Sequence, residues 1–336
     1  MSEQKLDDYP RIQLLPAPTP LYRLEGLSKL SDLPVYIKRD DLSGVGAGGN
    51  KARKLEYLLA DARQQGARCV VTGGAVQSNH AAMVAVCARR VGLDCHLALI
   101  EAVPVKSSFY DEGGNIAIDR LCGAKIRRFP PDRDPNEYVA LIAREIEKAE
   151  GHTPYPIPMG GSNGTGALGY VRAAAEYARQ LETCGETIDT VILPSGSAGT
   201  QAGLVVGLAL AGLDQSVIGI SVLHNEANLR SIVAGLCEQL GEMLGLTGID
   251  WNERFSIDDR FVGPGYGVPM PETWESIRKL IGSDGVICDP VYTGKAFHGL
   301  LTHLEQKRAS LGRGVTFWHT GGLVGLLGYA DRIGSS

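Results

Sequence analysis

The chain has 336 residues, 43 of them glycine, with 44% apolar residues and a formal net charge of −5. That length exceeds what one compact core holds and points to two α/β domains with many tight turns. The acidic balance argues against nucleic acid as a partner, and the polar start from Met1 to Asp8 argues against a signal peptide.

Apolar runs such as Ala202 to Leu213 are too short and too rich in glycine for a membrane span. Seven scattered cysteines, odd in number and without a C-x-x-C pair, argue against disulfides and a structural metal, so the expected compartment is the cytoplasm.

Residues 1–33 read as an irregular arm, since Pro16, Pro18 and Pro20 limit regular structure before Leu21. Val35 to Asp41 reads as the opening strand. A glycine-rich turn follows, and Asn50 is placed to cap a helix with Leu55, Leu58 and Leu59 as its buried stripe. This helix opens on Lys51, Arg53 and Lys54, although the backbone dipole favours acidic residues there. A lysine so placed tends toward a lowered pKa or an anionic partner, and a deprotonated lysine attacks aldehydes. Taken alone, the segment reads more simply as a solvated basic turn.

Strands and helices then alternate. Cys69–Gly73 is a strand, followed by a helix from Ser78 or Asn79 to Arg90, a strand over Cys95–Ile100, a helix over Asn115–Leu121 and a strand over Lys125–Phe129. Pro135–Glu150 is helical, Tyr155–Pro158 a strand, and Gly164–Leu181 a helix. Further on come the strand Thr190–Leu193, a helix over Gly199–Gly212, the strand Val217–Val222 and a helix over Glu226–Leu244. Residues 247–272 show no period and read as a loop. The helix Glu272–Ile281, strand Gly285–Cys288, helix Gly294–Arg308, strand Val315–His319 and a helix from about Gly322 complete the chain. The fold class is therefore α/β, with two doubly wound, mainly parallel open-sheet domains and a ligand cleft between them at the strands' C-terminal ends.

Four motifs fall at such ends. Pro194-Ser195-Gly196-Ser197-Ala198-Gly199-Thr200 lets small residues converge backbone amides on a phosphate, or forms a tight turn only. It lacks the Gly-Lys-Ser/Thr of a P-loop and the dinucleotide fingerprint. In Gly73-Gly74-Ala75-Val76-Gln77-Ser78-Asn79-His80, Ser78 and Asn79 can cap a helix whose free amides hold a carboxylate, and His80 could orient a substrate or satisfy a backbone group. In Asp289-Pro290-Val291-Tyr292-Thr293-Gly294-Lys295, Thr293 is a natural N-cap and Tyr292 could be an aromatic wall or a phenol. Trp318-His319-Thr320-Gly321-Gly322 has the same shape, with His319 either a core or a site residue. A lysine, a phosphate cradle and a carboxylate pocket together fit pyridoxal phosphate holding an amino acid.

These motifs, with Lys38-Arg39-Asp40-Asp41 and Gly160-Gly161-Ser162-Asn163, resemble the D-cysteine desulfhydrase and aminocyclopropanecarboxylate deaminase family, in family order over about residues 34–322. The resemblance implies a pyridoxal-phosphate enzyme of the tryptophan-synthase-β type (fold type II). Its large domain would span residues 1–53 plus 166–336, its smaller inserted domain 54–165, and its subunits would pair as homodimers. It implies that Lys51 holds the cofactor's aldehyde and then acts as base at the substrate α-carbon. Asn79 would bond the ring hydroxyl, while Ser78, Asn79 and His80 would hold the substrate carboxylate. Ser197, Ala198, Gly199 and Thr200 would surround the phosphate, and Tyr266 and Tyr292 would stand near the substrate. No metal is implied.

Ring-opening deaminases of this family carry glutamate where this chain has Thr293, opposite the pyridine nitrogen. Threonine leaves the ring a weaker electron sink, sufficient for β-elimination. The expected reaction converts D-cysteine to pyruvate, ammonia and sulfide. Cysteate sulfo-lyase or another β-eliminating deaminase is the next reading, and aminocyclopropanecarboxylate deaminase the third. A non-catalytic module that binds a phosphate ligand is the alternative outside enzymes. Relatives carry arginine where this chain has Ala82, which leaves the substrate open if that position shapes the site.

Overall fold

The computed structural model describes residues 4–306 and 308–333. In chain order its elements begin with α1 (Gln4–Asp7), β1 (Leu21–Arg23), α2 (Glu25–Ser31), β2 (Val35–Arg39), α3 (Lys51–Gln64) and β3 (Cys69–Ala75). They continue with α4 (Asn79–Arg90), β4 (Asp94–Ile100), α5 (Ser108–Glu112), α6 (Gly114–Leu121), β5 (Lys125–Phe129), α7 (Pro135–Glu150) and β6 (Tyr155–Pro156). Then come α8 (Gly164–Cys184), β7 (Thr190–Ser195), α9 (Gly199–Leu210), β8 (Ser216–Ser221), α10 (Glu226–Met243) and β9 (Phe255–Asp258). The last are α11 (Pro271–Asp284), α12 (Thr293–Gln306), β10 (Val315–His319) and α13 (Leu323–Leu327).

Two sheets result, one of six strands in the order β1-β2-β10-β7-β8-β9 and one of four in the order β5-β4-β3-β6. Every pairing is parallel except the edge pair β1–β2. Central strands β7 and β10 are buried along their whole length, because helices cover both faces of a parallel sheet. One face of the larger sheet packs Val191, Leu193 and Val217 against α8, α9 and α10. The other packs Ile192, Ile218 and Phe317 against α2, α11 and α12. Glycines allow helices to cross closely: a Cβ on Gly203 of α9 would lie 2.4 Å from the Tyr170 Cβ of α8, and one on Gly169 of α8 would lie 2.2 Å from the Arg53 carbonyl oxygen of α3. The α/β, doubly wound reading of the sequence therefore holds. Among the described residues, no helix is long and apolar enough to cross a membrane.

The structure corrects four local readings. The arm contains β1 and α2, because three residues after Pro20 add an antiparallel edge to β2. The stretch 247–272 contains β9, a four-residue edge strand whose Phe255 and Ile257 point inward. Gly285–Cys288 is not a strand: Val286 and Cys288 are buried, but the Ile287 carbonyl is taken by the His319 ring instead of a ladder. Asn50 does not cap α3, since its backbone is already helical and its side chain donates elsewhere.

Asp119 on α6 is fully buried, and neither carboxylate oxygen has a hydrogen-bond partner among the described residues. Burial pushes its pKa from 3.8 to about 7. Its ionisation couples to the thiols of Cys95 and Cys122, which bring no positive charge. Because the folded state holds this proton more tightly than the unfolded chain, there is no penalty below about pH 4, and the penalty grows to its full value above about pH 7. Asp119→Asn is therefore expected to match the wild type in urea unfolding at pH 4 and to exceed it by roughly 2–4 kcal/mol at pH 8. Equal midpoints at both pH values would show that the carboxylate is solvated.

Candidate active site

The C-terminal ends of β2, β3, β7 and β10 converge on one cavity of about 770 Å³. Lys51, Ser78, Asn79, His80, Ser197, Ala198, Thr200, Tyr266 and Tyr292 all line it.

Lys51 arrives there through interlocked glycine loops. Gly48 adopts φ +79°, and a Cβ there would lie 1.7 Å from the Asp41 carbonyl oxygen, so only glycine fits. A Cβ on Gly321 would come within 2.7 Å of the Gly49 Cα, and the Asn50 amide donates to the Thr320 carbonyl at 2.9 Å. These contacts bind the start of α3 to the end of β10. Burial drives the Lys51 ammonium from 10.5 down to about 8. The other two basic residues of that turn go elsewhere. Arg53 is buried against Asp40 and Glu176 at 2.9 Å each. Lys54 donates to the Gly160 carbonyl at 3.1 Å and to Ser162 Oγ at 3.0 Å. Burial, and then Lys51, hold the Lys54 ammonium well below its ordinary range. Asp134 is the only carboxylate among the lining residues, and it is exposed. The cavity therefore suits an anion.

The cradle follows β7. Ala198 takes φ +64°, a left-handed conformation that non-glycine residues adopt only where the surroundings impose it. The opening amides of α9 have no intrahelical acceptor; the first of them, Gly199, donates to the Ser197 carbonyl at 2.8 Å. Ser162 Oγ donates to Ser197 Oγ at 2.8 Å and accepts from the Gly199 amide at 3.3 Å. Asn50 Nδ2 donates to Thr200 Oγ1 at 2.9 Å. A Cβ on Gly199 would lie 3.0 Å from Lys54 Nζ and one on Gly160 2.1 Å from Ser197 Oγ, so no larger side chain fills the cradle.

After β3, Ser78 Oγ caps α4 by accepting from the Ala81 amide at 3.1 Å, which leaves its hydroxyl proton free to donate. Asn79 Oδ1 accepts from Asn115 Nδ2 at 2.8 Å, so its own amide donor is turned outward. His80 is buried. The Thr72 hydroxyl donates to the Ile157 carbonyl at 2.9 Å, so it receives the Nε2 proton of His80 at 2.8 Å. That tautomer leaves Nδ1 as an acceptor, buried and without a partner among the described residues. Burial and the two lysines keep the ring neutral. Its partner is thus a side-chain hydroxyl and not a backbone group. Ser195 Oγ, also at the cavity wall, is likewise buried and unpartnered.

Tyr266 and Tyr292 form the opposite wall, with their hydroxyls hydrogen-bonded and ring centroids 5.9 Å apart. Burial raises Tyr266 to about 12 and Tyr292 further, so both stay protonated near neutral pH. Thr293 is a correction to the capping expectation. Asp289 caps α12 instead, accepting from the amides of Val291, Tyr292 and Thr293 at 2.8–2.9 Å and from the Thr293 hydroxyl at 2.7 Å. Thr293 is fully buried and does not line the cavity; its Oγ1 lies 3.4 Å from the Gly321 carbonyl beneath the floor. Ala82 does not line it either, facing a separate void of about 20 Å³ with Asn115 and Val324. His319 is a core residue that donates to the Ile287 carbonyl and accepts from the Gly321 amide.

Sequence reasoning passed over Lys54, Asn50, Ser162, Asn115 and Ser195. For Ser162 the Gly160-Gly161-Ser162-Asn163 run was a signal; for Asn115 there was none. The donor set fits pyridoxal phosphate: an amine near neutrality, an amide cradle with a second buried amine, and unpaired polar atoms between them.

Residues 12–321 match the family described as pyridoxal-phosphate dependent enzymes. A D-cysteine desulfhydrase of Yersinia pestis (strain Pestoides F) is 39% identical over 98% of this chain and 99% of its own. One of Salmonella paratyphi A is 40% identical over 98% of each chain. A crystal structure of an ACC deaminase homologue superposes with a TM-score of 0.89 at 38% identity, covering 99% of this chain and 98% of that one. A fungal L-serine ammonia-lyase from Rhizomucor miehei shares the fold, with a TM-score of 0.64 at 19% identity over 94% of this chain and 98% of its own.

Proposed function

The chain belongs to the pyridoxal-phosphate dependent enzymes, and on that premise we propose that it is a carbon–sulfur lyase converting D-cysteine and water to pyruvate, ammonia and sulfide. The observation that carries this reading is the shared cavity of Lys51 and the 197–200 cradle, together with full-length identity to D-cysteine desulfhydrases.

When bound, the cofactor supplies an electron sink at the substrate's α-carbon. Lys51, half-buried and depressed to about 8, takes the α-proton. The Ser78 hydroxyl and Asn79 amide, both donors left free by their local bonds, hold the substrate carboxylate and the cofactor's ring hydroxyl, with His80 beside them. Amides of Ser197, Ala198, Gly199 and Thr200 hold the phosphate, with the Lys54 amine as a buried hydrogen-bond donor beside Gly199. Tyr292, kept as a phenol by burial and hydrogen-bonded to Tyr266, holds a proton where the leaving sulfur departs.

Thr293 favours elimination over cyclopropane opening. It brings no carboxylate to the floor beneath Gly321, and the adjacent Asp289 spends its oxygens on three amides and the Thr293 hydroxyl. The same reading extends to a homodimer acting in the cytoplasm on a free small amino acid. It also assigns 54–165 to a smaller unit, since β3, β4, β5 and β6 fall wholly within that span.

The test is pyruvate and ammonia release across D-cysteine, L-cysteine, L-cysteate, chloroalanine, D-serine and aminocyclopropanecarboxylate. D-cysteine is expected to have the highest kcat/KM, by about tenfold or more over its enantiomer. Turnover of aminocyclopropanecarboxylate alone would overturn the elimination reading.

A further inference from the structure

We propose that Lys295 is a positioning residue that holds Tyr266 against Tyr292 by anchoring the loop Val262–Val268, an inference that rests on the reading of the site given above. Lys295 lies three residues after Tyr292, in the first turn of α12, and is fully buried. Its Nζ donates to the Val262 carbonyl at 2.6 Å and to the Gly265 carbonyl at 3.0 Å. Those two acceptors precede Tyr266 in the chain, so the start of α12 places the clamp three residues from the Tyr292 phenol that Tyr266 meets.

The loop needs a clamp. Gly263, Gly265 and Gly267 sit at φ +66°, +152° and +75°, a backbone with little conformational preference of its own. Its local backbone bonds are long, at 3.3 Å from the Val262 amide to Asp259 and 3.2 Å from the Val268 amide to Gly265. A second side-chain anchor on the loop backbone is Tyr329, whose hydroxyl donates to the Gly267 carbonyl at 2.6 Å. Pro264, Gly265, Tyr266 and Val268 all face the cavity, so slack in this loop moves a wall of the site. Removing the ammonium leaves two half-buried carbonyls to seek other partners.

Lys295→Met keeps the stem and removes the donors. Its amides over 262–268 are expected to exchange about tenfold faster with deuterium, with β2 and β10 unchanged. Misplacing Tyr266 should lower kcat up to about 10²-fold with little change in KM. Combined with Tyr266→Phe, the losses should not multiply, because both act through one hydroxyl. Lys295→Gln retains an N–H donor and should recover part of the protection and the rate; it also replaces the methionine variant if that fails to fold. Unchanged exchange over 262–268 in both variants, or losses that multiply with Tyr266→Phe, would overturn the proposal. The exchange measurement needs neither cofactor nor substrate, so it stands even if no compound in the panel is turned over, an outcome that sinks only the lyase reading.

Discussion

Replacing Lys51 with alanine is expected to abolish the visible absorption band of the purified protein and to lower turnover by at least about 10³-fold. The fold should survive. Lys51 Nζ makes no hydrogen bond among the described residues, and removing a half-buried cation relieves desolvation. Addition of the cofactor to stripped protein should accelerate with pH, because the attacking amine must be neutral. With its pKa lowered to about 8, roughly one-tenth of Lys51 is neutral at pH 7, and the recombination rate should level off above pH 8. A band retained in the alanine variant would transfer the covalent role to another residue, with Lys54 the nearest alternative in the same turn.

Asp40→Ala is expected to be the most damaging single change to stability, at about 3–5 kcal/mol. Its carboxylate is fully buried and accepts from Thr19 Oγ1, from Arg53 Nε and Nη2, from Trp318 Nε1 at 2.8 Å and from the Tyr170 hydroxyl. Burial pushes its pKa up, yet Arg53 and Lys38 beside it hold the group below its ordinary range. Removal leaves the buried Arg53 guanidinium with Glu176 as its one remaining carboxylate and Thr19 Oγ1 as a neutral acceptor, and leaves the Trp318 indole N–H unpaired. A urea midpoint close to wild type would mean that water replaces the carboxylate at once. Because Arg53 lies in α3 and Trp318 in β10, the helix and strand that meet at the site, the cofactor band should weaken alongside stability.

The two changes touch residues eleven positions apart in the chain, and the contrast between them shows what local sequence can and cannot specify. Apolar runs such as Val191-Ile192-Leu193 and Val70-Val71 announce buried parallel strands, and the small residues after them announce turns at strand ends. Those patterns are local, so β5, α7 and β10 appear at their sequence-derived bounds. Short edge elements such as β1 and β9 carry too few residues for a period to register, and Gly285–Cys288 has strand composition but gives its Ile287 carbonyl to the His319 ring instead of a ladder.

What the sequence determined by itself was the alternation of elements, the loops that carry the chemistry and the cofactor class that their residue types suit. What only the tertiary structure decided was the division of labour inside a single helical turn: Lys51 to the cavity, Arg53 to Asp40 and Glu176, Lys54 to Gly160 and Ser162. Successive residues of a helix point about 100° apart, so three adjacent cations meet three different surroundings. Those surroundings include Glu176, Gly160 and Ser162, all more than a hundred positions away, and a side chain's charge state and role follow from partners that no local pattern encodes.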